Sequence, residues 1–196
     1  MSALVASPAD PREARCRAGT ATVASNDCFL AGSAYDRGTA ELPSQQGRAI
    51  ELFALGCKEA PRDPRNPSCL ALKNEVVSLQ LVVSRRGEAL ALLDSACSAG
   101  SLDLCNDLAT AYAEGIGTTP RPAKAAVLYE RTCGGAAAPG GVPSVVSTDL
   151  EASITGCAGL ASLVRAGAAG VERDLARAAA AEARRQMLGK QLAPPR

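Results

Sequence analysis

The chain contains no histidine and no tryptophan, and its aromatic residues are limited to three tyrosines and two phenylalanines. Without histidine it lacks the commonest general base of enzymes and a frequent ligand of zinc. A core with so few large rings has to be built mainly from Ala, Leu and Val, which suits closely packed helix pairs better than a β-sandwich. The composition therefore favours an all-α fold and disfavours acid–base catalysis.

Charge and hydropathy exclude two further classes of protein. The 21 basic and 20 acidic residues are interspersed and leave a formal net charge of +1, so the basic patch typical of nucleic-acid binding is missing. No apolar run approaches the roughly 18 residues needed to span a bilayer. The N-terminal segment also lacks the basic and apolar regions of an export signal. We therefore expect no nucleic-acid partner and no membrane span.

The eight cysteines, by contrast, recur at a regular spacing. A step of 20 or 21 residues from the second cysteine of each consecutive pair reaches an alanine, namely Ala49, Ala89, Ala125 and Ala178. Eight residues after each of the first three alanines comes the next cysteine, whereas the fourth such position is Gln186. A constant period of this kind is the signature of a repeat array.

The third unit shows most clearly what one repeat contains. Ser101 is a good N-cap for a first helix, the A helix, whose apolar residues recur at helical spacing over 104–112. Pro120 or Pro122 can begin a second helix, the B helix, because proline is tolerated in the first turn. The B helix carries its own apolar stripe over 125–133. The unit is therefore predicted to be a helical hairpin.

The same pattern, with insertions, predicts four hairpins in one repeat domain of residues 1–196. Its parts are an N-terminal partial B helix at 1–24, repeats at 25–58, 66–99, 101–134 and 149–188, and a tail at 189–196. Two loop-forming stretches, 58–66 and 134–147, interrupt the array. Leu79 replaces the glycine that the other A helices have, so the A–B turn of the second repeat is expected later, at Arg86-Gly87. Ser25-Asn26 is interpreted as the N-cap of the first A helix.

One family matches these residues over roughly 16–188. The best match is Ala96-Cys97-x-x-Gly100-x-x-x-x-Cys105, followed by Leu108-Ala109-x-x-Tyr112-x-x-Gly115-x-Gly117 and Lys124-Ala125. The chain resembles the Sel-one-like repeat, a tetratricopeptide-related family, in its cysteine-rich bacterial branch (the Helicobacter cysteine-rich protein type). The resemblance implies an α/α solenoid of about four antiparallel helix pairs plus the N-terminal partial helix.

In such an array each pair of cysteines joins the end of one B helix to the start of the next A helix. The expected disulfides are Cys16–Cys28, Cys57–Cys69, Cys97–Cys105 and Cys133–Cys157. Gln186 fits this assignment, because the last B helix has no following A helix, while Cys16 is expected to be the remnant of a further unit. A zinc site would need four distant thiolates to converge, and a redox pair would need closer spacing. No metal and no cofactor are therefore expected.

The resemblance also implies where a partner would bind. In tetratricopeptide-like arrays the A helices line the concave surface, and their residues outside the core face the partner. The residues at these positions are Asn26, Phe29, Ser33, Arg37, Leu70, Asn74, Ser78, Asp103, Asn106, Thr110, Glu114, Thr155, Ser162 and Arg165. The alternative is that they are ordinary solvated helix faces.

The function expected on these grounds is a non-enzymatic adaptor that binds a protein or peptide segment, as a monomer. The disulfides predict a periplasmic or extracellular location, which requires an export signal lost from this chain or a longer exported protein. The resemblance alone raises an alternative, a penicillin-binding or weakly β-lactamase-like envelope protein. The sequence has no S-x-x-K and no K-T-G, and Ser25-Asn26-Asp27 only permutes the third motif of those enzymes.

Overall fold

The structure, a computed structural model, describes residues 9–19, 24–59, 61, 66–134 and 147–192. Over these ranges the chain is all-α, and the only β-structure is an isolated bridge between Ala168 and Val171. The α-helices are α1 (Pro11–Ala18), α2 (Ala24–Arg37), α3 (Gln46–Glu59), α4 (Pro67–Leu81), α5 (Arg86–Ala99), α6 (Leu102–Glu114), α7 (Pro122–Gly134), α8 (Ser147–Ala166) and α9 (Leu175–Leu192). Most of the two predicted loops, 58–66 and 134–147, lies outside the described residues.

The chain folds as two compact units, Met1–Glu75 and Val76–Arg196. In the first unit α1, α2 and α3 pack on one another around Tyr35 and Leu52, both fully buried. The short helix α1 begins at Asp10, whose carboxylate accepts from the backbone N–H of Arg12 at 2.8 Å. Helix α2 already begins at Ala24, so Ser25-Asn26 lies in its first turn. The prediction that these residues cap the helix is therefore wrong.

In the second unit, helices adjacent in sequence from α5 to α9 pack against each other. Helix α6 also contacts α8, the next A helix, and α7 contacts α9, the next B helix. This pattern, in which hairpin follows hairpin, confirms the predicted solenoid class. The core is built from small aliphatic residues and bridged cysteines, and Tyr129 is its largest buried side chain.

Glycine closes the A–B turn in three repeats. Gly38, Gly115 and Gly167 each follow the A helix with φ near +70° (70°, 78° and 71°), a conformation that disfavours other residues. Gly117 is required for a second reason, since a Cβ there would lie 2.3 Å from the carbonyl oxygen of Arg86. The turn therefore sits directly on the start of α5.

The second repeat makes its turn without glycine, and earlier than predicted. Helix α4 ends at Leu81, and a short 3₁₀ helix, Val83–Arg85, leads directly into α5. Val82 breaks the helix by adopting an extended conformation, and its N–H donates to the carbonyl of Leu79 at 3.2 Å. The expected turn at Arg86-Gly87 is therefore wrong: local 3₁₀ hydrogen bonds close the turn, and Gly87 lies in the first turn of α5.

All eight cysteines are paired, and the four bridges join the residues expected from the spacing: Cys16–Cys28, Cys57–Cys69, Cys97–Cys105 and Cys133–Cys157. Their Cα–Cα distances of 4.4–4.8 Å mean that the helix ends cross at close range. The residues just before the cysteines also face each other at three of these junctions. Arg15 binds Asp27 through two hydrogen bonds of 2.7 and 3.0 Å.

Beside Cys57–Cys69 and Cys133–Cys157, a glycine faces a hydroxyl side chain. A Cβ on Gly56 would lie 2.3 Å from Oγ of Ser68, and one on Gly156 would lie 2.0 Å from Oγ1 of Thr132. Glycine is therefore needed opposite each hydroxyl, because any larger side chain would overlap it. Three of the four disulfides thus have a complementary pair of side chains directly beside them.

Arginines of two B helices stabilise the end of the preceding B helix. Arg184 of α9 donates to the carbonyls of Cys133 and Gly134, at 2.7 and 2.6 Å. Arg131, at the matching position of α7, donates to the carbonyl of Cys97 at 3.4 Å. Since the last carbonyls of a helix have no partner within the helix, these contacts both cap it and favour its dipole.

Candidate functional site

In the first unit, most of the predicted A-helix positions lie at the surface. Asn26, Arg37, Leu70 and Asn74 are exposed, and Ser33 is partly buried. Leu70 is 53% exposed, which is high for a large apolar side chain. These positions are accessible to a partner, and equally to solvent.

Phe29 differs from its neighbours on α2. It is partly buried, and its ring contacts that of Phe53 with a centroid distance of 6.2 Å. Part of the Phe29 surface is therefore used to hold α2 against α3.

In the second unit, most of the predicted positions are again at the surface. The exposed ones are Ser78, Asp103, Glu114, Thr155, Ser162 and Arg165. Thr110 is partly buried, and its hydroxyl lies 2.9 Å from that of Tyr129. Burial raises the pKa of Tyr129, so its hydroxyl stays protonated in this contact.

Asn106 does not face outward, so this prediction is wrong. Its side chain is 3% exposed, and its amide donates to the carbonyl of Ala152 in α8 at 2.8 Å. Its side-chain oxygen accepts from the hydroxyl of Thr132 at 2.7 Å, and its backbone carbonyl accepts from Thr110 at 3.0 Å. The position is covered because the next A helix packs over it. Asn106 therefore joins α6, α7 and α8.

Replacing Asn106 with alanine is expected to destabilise the second unit by about 2 kcal/mol, because the buried Ala152 carbonyl and Thr132 hydroxyl each lose a hydrogen bond. Urea unfolding combined with hydrogen exchange in α8 measures this effect. Glu114→Ala, an exposed change on the same helix, is the control and should leave stability nearly unchanged. Equal effects of the two substitutions would contradict the assigned role of Asn106.

The second unit has an open surface groove. It has a volume of about 440 Å³ and lies between two B helices and the end of one A helix. Its lining residues are Asp94 of α5, Leu108 and Tyr112 of α6, and Ala123, Lys124, Val127 and Leu128 of α7. We call it the α5–α7 groove. Leu108 is buried below it, whereas Val127 is 64% exposed.

Polar groups border the apolar lining of the α5–α7 groove. The ammonium of Lys124 lies 5.3 Å from the ring centroid of Tyr112, a cation–π geometry. Asp94 is exposed on the opposite helix. Within the described part of the chain, neither Asp94 nor Lys124 has an ion-pair partner. An open apolar groove with charges at its edges can hold an apolar side chain and bind polar groups beside it.

The sequence does not predict this groove, because its walls come from three different helices. One signal was present. The apolar stripe predicted for the third B helix comprises Ala125, Ala126, Leu128, Tyr129 and Cys133 and leaves Val127 unassigned. A large apolar residue outside the stripe of an amphipathic helix indicates a second contact surface.

A second polar cluster lies in the first unit around Glu13, which is 6% exposed. Its carboxylate accepts from Arg48 at 2.6 Å, from Arg17 at 2.8 Å and from the hydroxyl of Tyr35 at 2.7 Å. The guanidinium of Arg48 also lies over the Tyr35 ring, 4.5 Å from its centroid. Burial raises the pKa of Glu13, but the hydrogen bonds from Arg48, Tyr35 and Arg17 outweigh it and lower the pKa to about 2.

A carboxylate with this pKa and three donors is not suited to proton transfer near neutral pH, so the Glu13 cluster is structural. The same holds for Asp27, the last residue of the permuted motif. Its pKa is lowered by the hydrogen bond from Arg15.

No group of His, Cys, Asp and Glu within the described ranges is arranged to hold a metal ion. In those ranges, too, no helix is both long and apolar enough to cross a bilayer.

Comparison with known proteins gives a distant likeness to a solved structure. A Sel1 repeat protein from Oxalobacter formigenes has 16% sequence identity, with 82% of this chain and 70% of that chain covered and a TM-score of 0.31. No protein-family model matches the sequence, and no curated protein is significantly similar. The consecutive hairpins and the four bridges at their junctions fit a cysteine-rich Sel1-like protein. The chain is a helical repeat scaffold. Its four disulfides point to an oxidising, non-cytoplasmic environment.

Proposed function

We propose that this scaffold is a non-enzymatic adaptor that binds a protein or peptide segment, in the periplasm or outside the cell, as a monomer. The α5–α7 groove carries the proposal, because it combines an open apolar floor with charged groups that have no ion-pair partner among the described residues. Exposed apolar surface of this kind is typical of recognition sites. The predicted A-helix face is the competing surface, and Thr155, Ser162 and Arg165 are its exposed positions on α8.

Val127→Glu is expected to weaken binding by at least about tenfold, because it places a carboxylate over the apolar floor of the groove. The probes are fluorescent peptides enriched from a displayed random library on the oxidised wild-type protein, and fluorescence anisotropy measures their affinity. Val127 is exposed, so the variant should remain folded, which circular dichroism checks.

Ser162→Glu is the matched control, since it adds the same charge to the A-helix face of α8. It should leave the affinity unchanged. Loss of binding with Ser162→Glu but not with Val127→Glu would move the site to the A-helix face. If no peptide binds the wild-type protein at all, the adaptor function itself is contradicted.

A further inference from the structure

We infer that the α5–α7 groove selects a segment in which one large apolar side chain stands between an acidic and a basic residue. The inference rests on the proposed function and specifies the class of partner. It concerns the B-helix side of the second unit, whereas the expected partner surface was the A-helix face.

The apolar part of the selection follows from the lining of the groove. Leu108, Val127 and Leu128 provide aliphatic surface, and the ring of Tyr112 forms one end. At about 440 Å³ the groove lies in the lower part of the range of small-ligand sites, and it is open to solvent. A large side chain from a partner fits such a space while its backbone stays outside. The transfer of that side chain from water provides the main binding free energy.

The charged part follows from the two groups at the edge. Lys124 of α7 is held over the Tyr112 ring, which orients its ammonium without neutralising it. Asp94 stands on α5, the other wall. Since neither has an ion-pair partner in the described ranges, both gain from an opposite charge on the partner. A segment with two acidic neighbours would place one of them against Asp94, and a segment with two basic neighbours would place one against Lys124. Both contacts are repulsive.

Variants in which both walls carry the same charge test this inference. Swapping the two charges would be a weaker test, because a peptide could bind the swapped groove in the reverse direction. The same random peptide library is selected in parallel on the wild type, Asp94→Lys and Lys124→Glu. We expect an apolar residue with one acidic and one basic neighbour on the wild type. Two acidic neighbours are expected on Asp94→Lys, and two basic neighbours on Lys124→Glu. Each wild-type peptide should bind about fivefold more weakly to either variant.

The outcomes separate this inference from the proposed function. If the flanking residues are the same in all three selections while binding still requires Val127, the charge selection is wrong and the adaptor function stands. If the enriched peptides bind Val127→Glu with the same affinity as the wild type, the groove is not the binding site and the inference is wrong. If sedimentation shows a wild-type dimer that Val127→Glu dissociates, a second copy of the chain occupies the groove, which also overturns the inference.

Discussion

Replacing both Cys133 and Cys157 with alanine is expected to lower the free energy of unfolding of the second unit by about 3.5 kcal/mol. The two residues are 24 positions apart, the longest separation of the four bridges. Removing this bridge therefore increases the conformational entropy of the unfolded chain the most. Hydrogen exchange of peptides from α7 and α8 during urea unfolding measures the loss. Both cysteines are buried, and alanine avoids leaving a buried hydroxyl in their place.

The Cys97–Cys105 bridge serves as the internal comparison, because it spans only 8 positions in the same unit. Its replacement by alanines should cost about 2.5 kcal/mol on the same chain-entropy argument. In excess thiol, which reduces all four bridges, the wild type and the two variants should become nearly equal in stability. A larger loss for Cys97–Cys105 than for Cys133–Cys157 would show that native packing, rather than loop length, determines the effect.

Glu13→Gln is expected to destabilise the first unit by about 3 kcal/mol, because it removes the buried anion that Arg48 and Arg17 contact. Glutamine has nearly the same shape and can still accept the hydrogen bond from Tyr35, so the change isolates the charge. The readout is hydrogen exchange in α1 and α3 as a function of urea concentration.

The same substitution should change the dependence of stability on pH. The folded pKa of Glu13, about 2, is below its ordinary value of 4.5. Its contribution is therefore complete above about pH 4.5 and is lost as the pH falls toward 2. The stability difference between wild type and Glu13→Gln should shrink over that window. A difference that stays constant from pH 6 to pH 2 would exclude the carboxylate as its origin.

Glu51→Gln is the matched control for this prediction. Glu51 also contacts Arg17, at 3.3 Å, but its side chain is 67% exposed. Exposed ion pairs contribute little in water, so we expect almost no change in stability. An effect as large as that of Glu13→Gln would show that burial of Glu13 is unimportant.

The sequence was sufficient for features that depend on local spacing. The cysteine period identified the repeats and their bridges, because each pair marks the crossing of two helix ends. The glycines at 38, 115 and 167 marked three A–B turns, since a positive φ at a helix end strongly favours glycine. The turn at Val82 is closed by local 3₁₀ hydrogen bonds, which no particular residue type marks in the sequence. Its predicted position was therefore wrong by several residues.

Features that depend on three helices at once could not be predicted in this way. Asn106 occupies the outer side of α6 when that helix is projected alone, but α8 covers it. The α5–α7 groove combines Asp94, Tyr112 and Lys124 from separate helices, and no periodicity within one helix links them. The Glu13 cluster likewise brings residues of α1, α2 and α3 together. Helix register and helix neighbours both have to be known before such surfaces can be recognised.

The complementary pairs beside the disulfides bear on how the oxidised chain forms. Eight cysteines allow roughly a hundred different connectivities, and the cysteines themselves are chemically identical. A wrong pairing that set Arg15 against Gly156 would separate Asp27 from its cation, and one that set Ser68 against Thr132 would crowd two hydroxyl side chains. At three of the four junctions we therefore expect the residues that precede the cysteines to favour the native pairing over these wrong ones.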